Sequence, residues 1–115
     1  MNPLDISVIV CAYTEDRWSD MLAAVGSLKA QTMPPREIIL VIDHNPALFE
    51  RSRQQFSGCT VIENREAQGL SGARNSGLAV AQGEVIAFMD EDATAAPDWL
   101  ETLASGYADP TVLGV

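Results

Sequence analysis

Asp90-Glu91-Asp92 follows the apolar run Glu84–Met89 with no spacer. Two carboxylates two residues apart, on extended or turning backbone, can face one divalent ion. Hard oxygen donors suit Mg²⁺ or Mn²⁺, and a diphosphate would supply the remaining oxygens. Such an ion neutralises a leaving diphosphate as charge develops on it. The same triplet also reads as a solvated acidic turn.

A second stretch, Gln68-Gly69-Leu70-Ser71-Gly72-Ala73-Arg74-Asn75-Ser76-Gly77, is rich in small residues. These permit close backbone approach to a ligand or a neighbouring helix. Arg74 near the helix start can pair its guanidinium with phosphate or carboxylate. The alternative is a tightly packed helix whose arginine bonds a structural Asp. The spacing is not a GxGxxG dinucleotide fingerprint, and there is no Walker lysine. Asp43 ends an apolar run, where its carboxylate can accept from a base N–H or cap the next helix. Glu15 and Asp16 can likewise cap a helix. His44, the sole histidine, has no nucleophile spaced to pair with it and reads as a loop residue. Trp18 and Trp99 sit at helical core spacing and read as packing residues.

These residues need elements to place them. Ile6–Ala12, Glu37–Asp43, Cys59–Glu63 and Glu84–Met89 read as strands, mostly buried and β-branched. Helices are expected at Arg17–Ala30, with Trp18, Met21, Leu22, Val25 and Leu28 on one face, and at Pro46–Phe56 behind Asn45 as cap. A third is expected at Gly72–Gln82 with Gly83 as C-cap, and a fourth at Pro97–Tyr107, where Trp99, Leu100, Leu103 and Tyr107 share a face. Residues 111–115 read as the start of a further strand. This alternation predicts one α/β domain over residues 1–115, a mostly parallel sheet of four to five strands with helices on both faces. Ligands of such sheets bind beyond the C-terminal strand ends, where strand order reverses. Tyr13-Thr14-Glu15, Asp43-His44-Asn45, Asn64-Arg65 and the acidic triplet all fall at such ends.

The formal net charge of −9, from 16 acidic against 7 basic side chains, argues against a nucleic-acid surface or a polybasic membrane patch. No apolar run approaches the ~20 residues of a membrane-spanning helix. Residues 1–5 lack the basic start of a signal peptide. Cys11 and Cys59 lie in or beside apolar runs without metal-ligand spacing, so they read as buried thiols in a reduced, cytoplasmic compartment. The apolar end of the chain reads as the middle of a strand in a longer protein. The hydrophobic edge or face this would expose predicts self-association.

Together the segments resemble family 2 glycosyltransferases, which have the GT-A fold, a Rossmann-like arrangement. The resemblance is carried by residues 7–14 (Ser-Val-Ile-Val-Cys-Ala-Tyr-Thr) and 37–43 (Glu-Ile-Ile-Leu-Val-Ile-Asp), and most strongly by Asn64 through Asp92. Pro97-Asp98-Trp99-Leu100 is similar to the family's segment just past the acidic motif. The resemblance implies that Ala12, Tyr13 and Glu15 surround the nucleotide base and ribose, and that Asp43 contacts the base. It implies that Arg74 lies near the base or diphosphate, that Asp90 faces the ribose, and that Asp92 binds the bridging metal. The chain departs from the family in carrying Asp43-His44-Asn45-Pro46 where Asp-Asp-Gly-Ser is common, and Thr14 where Asn is usual.

The function so implied is an inverting transfer of sugar from a UDP-, dTDP- or GDP-linked donor to an acceptor hydroxyl, with the catalytic base expected beyond residue 115. Two other readings stand beside it. One is a non-catalytic nucleotide-binding or interaction module of Rossmann-like fold. The other is a nucleotidyltransferase, which usually carries a basic Gly-rich loop where this chain has the acidic Tyr13-Thr14-Glu15-Asp16.

Overall fold

A computed structural model describes residues 5–108. Strand β1 (Ile6–Ala12) is buried along its length, with only Cys11 half-exposed. β2 (Glu37–Ile42) is buried past its first residue. Strands apolar on both faces belong in the middle of a covered parallel sheet, and that is where they lie. β1 pairs in parallel with β2 on one side and with β4 (Val85–Asp90) on the other. β2 in turn pairs with β3 (Thr60–Glu63), giving the order β3-β2-β1-β4.

The two faces have separate cores. On one, Val8, Val10, Leu40 and Ile42 pack under α1 (Trp18–Lys29), α2 (Pro46–Gln55) and α4 (Trp99–Ala108). On the other, Ile9, Ile39 and Val41 meet Ala73 of α3 (Leu70–Val80). The expected α/β layering is thus observed. The expected strand over residues 111–115 and the side chain of Tyr107 lie outside the described residues.

Element boundaries move where local bonds differ from expectation. The buried stripe of α1 is Met21, Ala24, Val25 and Leu28, at helical spacing. Leu22 falls one residue off that stripe and is 38% exposed. Thr14, rather than Glu15 or Asp16, does the capping there: its hydroxyl accepts from the Asp16 N–H (3.1 Å) at the head of a 3₁₀ turn, Glu15–Arg17. Asn45 caps α2 as expected, accepting from the Leu48 N–H (3.0 Å). α3 starts two residues early, at Leu70, and ends at Val80, because Ala81 turns to extended backbone. Gly83 therefore is not its C-cap. Its N–H donates instead to Ser7 Oγ (2.8 Å), which itself donates to Glu37 (2.7 Å). α4 starts after Pro97, whose carbonyl accepts from the Thr32 N–H (2.8 Å) at the end of α1.

Candidate functional site

The chain passes from β1 to β2 to β3 in one direction, then returns to β4 on the far side of β1. Strand order therefore reverses between β1 and β4, and a crevice opens at their C-terminal ends. Cys11 is in register with Asp90 there. The crevice has a volume of about 500 Å³ and brings together Ala12, Tyr13, Asp43, Asp90 and Asp92. Cys11, Arg17, Gly69, Ala73 and Glu91 also line it. A larger groove of about 710 Å³ runs along β3 beside α3, past Phe49, Val61 and Val80. None of the residues assigned a donor- or metal-binding role from the sequence lines it, so the smaller crevice is the candidate site.

Tyr13 stands 55% exposed at the rim. Asn45 fixes its loop, since the Nδ2–H donates to the Tyr13 carbonyl (3.2 Å) while Oδ1 caps α2. Glu15 sits in the 3₁₀ turn, exposed and away from the crevice lining. Arg74 lines a small adjoining recess with Cys11, Leu70 and Asp90, its guanidinium 5.0 Å from the centre of the Phe88 ring. It forms neither of the carboxylate pairs found among the described residues of the crevice, Arg17–Glu91 and His44–Asp43.

Asp43 is only 8% exposed. It does not cap α2. Oδ1 accepts from Asn64 Nδ2 (2.8 Å) and Oδ2 from the Gly69 N–H (2.9 Å). Each oxygen keeps a second lone pair for a ligand N–H. The sequence marked Asn64 only as a strand-end residue, yet it organises this wall. Its Nδ2 also donates to the Ala67 carbonyl (3.1 Å), and its Oδ1 accepts from the Glu66 N–H (2.9 Å) and the Ser76 hydroxyl (2.8 Å). All four of its hydrogen-bonding positions are filled. Gly69 enters α3 at φ 129°, a conformation L side chains rarely adopt, which aims its N–H at Asp43. His44 is in the left-handed region at φ 52°, with its ring Nε2 3.1 Å from the Glu66 carbonyl oxygen.

The acidic triplet divides by burial. Asp90 and Asp92 are exposed at the crevice, whereas Glu91, also in its lining, is only 8% exposed. Glu91 Oε1 accepts from Arg17 Nη1 at 2.6 Å. That bond, together with the negative charge around it, holds the guanidinium pKa above its usual value. Behind the triplet, buried Gln31 pins the chain: its Nε2 donates to the Ala96 carbonyl (2.6 Å) and its Oε1 accepts from the Leu100 N–H (2.9 Å). The Leu100 amide is one of the N–H groups left without a partner at the start of a helix, so Gln31, just past the end of α1, caps α4. Arg17, Gln31 and Asn64 carried no local motif, and Glu91 stood only as the middle of the acidic triplet. An arginine among strand-end acids was the one available signal.

Burial pushes the Cys11 thiol from 9.0 up to about 11, with nearby Arg74 opposing. Near pH 8 roughly one thiol in a thousand is then ionised, so iodoacetamide should label the folded chain far more slowly than the denatured one. The unfolded thiol ionises first as pH rises. The stability it contributes is therefore complete below pH 9 and lost by about pH 11. Denaturation midpoints should fall across that window, and fall less in Cys11→Ala. Equal pH dependence in both chains would refute this.

The fold agrees with known proteins. The chain is 37% identical over 107 residues to the glucosyl-dolichyl phosphate glucuronosyltransferase of Haloferax volcanii, covering 90% of this chain and 34% of that protein. TarS of S. aureus, solved in complex with UDP, superimposes over 91% of this chain and 32% of its own, with a TM-score of 0.76 and 23% identity. The mannosyltransferase PcManGT from Pyrobaculum calidifontis, in complex with GDP-Man and Mn²⁺, covers 97% of this chain and 34% of its own, with a TM-score of 0.72 and 27% identity. The chain thus spans about a third of the length of these proteins. Its residues 7–115 match the Glycosyl transferase family 2 profile, and the chain belongs to that family.

Proposed function

We propose that this chain binds the nucleotide-sugar donor of a glycosyltransferase that moves sugar to an acceptor hydroxyl with inversion. The observation that carries the reading is the convergence of Ala12, Tyr13, Asp43, Asp90 and Asp92 on one crevice at the strand-order reversal. Tyr13 offers an exposed ring to the base or ribose, and Asp43 offers an acceptor for a base N–H. Among the described residues no group of three His, Cys, Asp or Glu is placed to hold a metal. The exposed carboxylate of Asp92 fits a Mg²⁺ or Mn²⁺ ion that takes its other ligands from diphosphate and water. When bound, such an ion stabilises charge on the leaving diphosphate. Asp92 would hold it, and Asp90 would face the ribose. A cytoplasmic location suits the two free thiols.

Calorimetric titration of UDP into the chain, with Mn²⁺ and again with EDTA, tests this. Binding should weaken about tenfold or more in EDTA, and Asp92→Ala should remove the difference between the two conditions. GDP and dTDP serve as alternative donors. Failure of all three nucleotides to bind would sink the reading. Metal dependence undiminished in Asp92→Ala would remove Asp92 from the metal site.

A further inference from the structure

The crevice poses an electrostatic problem. Asp43, Asp90, Glu91 and Asp92 line it, in a chain of net charge −9, yet its ligand is proposed to carry a diphosphate. One guanidinium lines the crevice, that of Arg17. Arg74 lies in the adjoining recess over Phe88.

Arg17 is placed for more than an ion pair. Buried Glu91 grips it from beneath through Nη1. Its side chain remains 42% exposed. Nε and Nη2 make no hydrogen bond among the described residues. The guanidinium also lies 5.7 Å from the centre of the Tyr13 ring, at the rim of the crevice. A guanidinium anchored at one nitrogen keeps its orientation, and its remaining N–H groups are open to phosphate oxygens. The triplet therefore has two jobs: its outer carboxylates face the ligand, and its middle one is spent on the cation.

We infer that Arg17 binds the diphosphate of the donor and that Glu91 is a positioning residue for it rather than a metal ligand. The inference rests on the donor-binding reading above. Glu91 lowers the entropy lost when Arg17 engages phosphate, since the side chain is already immobilised. It also keeps Arg17 from collapsing onto Asp90 or Asp92.

The test compares a nucleoside diphosphate with its nucleoside, UDP with uridine, or GDP with guanosine if GDP proves to be the binder. Calorimetry with Mn²⁺ is run on the 115-residue chain, Arg17→Ala, Arg17→Lys and Glu91→Gln. Arg17→Ala should weaken the diphosphate about tenfold or more and change the nucleoside less than about twofold. Arg17→Lys should recover part of the loss, because charge returns without the planar fork. Glu91→Gln should weaken the diphosphate selectively but less than Arg17→Ala does. An equal loss for nucleoside and diphosphate would make Arg17 a structural latch and overturn the inference. So would unchanged diphosphate affinity in Arg17→Ala. If the unaltered chain binds no nucleotide, the donor-binding reading itself falls and takes this one with it. Binding by the unaltered chain with an indifferent Arg17→Ala sinks the inference alone.

Discussion

Asn64→Ala is expected to lower the free energy of unfolding by about 3 kcal/mol and to weaken nucleotide binding with it. Asn64 is 6% exposed and fills all four of its hydrogen-bonding positions. Alanine would leave buried Asp43 with one partner fewer, and the Ala67 carbonyl and Glu66 N–H without their side-chain partner. Losing a hydrogen bond to a buried carboxylate is the most expensive of these, because water reaches the site poorly and replaces the lost partner incompletely. The loop from β3 to α3 would lose its anchor, and with it the Gly69 N–H that now steadies Asp43. Urea denaturation measures the effect as a lower midpoint at unchanged slope. Asn64→Asp keeps the shape but sets a second carboxylate against Asp43, so it should be no better than alanine. A loss below about 0.5 kcal/mol in Asn64→Ala would show that water replaces the side chain freely.

Gly77→Val is expected to be at least as damaging, by about 3 kcal/mol or more, for a steric reason. A Cβ at Gly77 would lie 2.8 Å from Ile9 Cγ2 and 3.2 Å from Val41 Cγ2. Both partners are in the middle of the sheet, on β1 and β2, so neither can move aside without disturbing the ladder. Gly77→Ala should show a smaller loss, about 1–2 kcal/mol, from the same contact. Gly26 supplies the opposite sign. It lies on the exposed side of α1, and a Cβ there meets nothing within 4 Å. Gly26→Ala should therefore stabilise by up to about 1 kcal/mol through helix propensity alone. Thermal melting of the three variants resolves the ordering, since about 1 kcal/mol moves the midpoint of a domain this size by roughly 4–8 °C. A Gly77→Val chain that melts with the parent would mean that α3 lifts off the sheet without cost.

Strand and helix order were legible in the linear chain because burial is periodic and local. β1 was bounded correctly, residues 6–12, since Asp5 and Tyr13 flank a β-branched run that is apolar except for Ser7. Asn45 announced itself as a cap, and the small residues from Gly69 to Gly77 announced a close approach, which at Gly77 is to the sheet. Most of the crevice residues were legible too, because strand ends carry the polar residues whatever the strand order. Ends of elements were less so. α3 begins at Leu70 because Gly69 takes a positive φ, and α4 waits for Trp99 because Pro97 is tied to α1.

What tertiary structure alone decided is which distant residues meet. Arg17 and Glu91 are 74 positions apart, and Asp43 and Asn64 are 21 apart. Their meeting depends on β4 lying beside β1 and β3 beside β2. Propensity and periodicity act over one or two turns, so they report that a residue is buried or exposed but not against what. The acidic triplet shows the limit plainly. Three adjacent carboxylates look alike along the chain, and only the packing of β4 against β1 and its loop turned the middle one inward to hold an arginine.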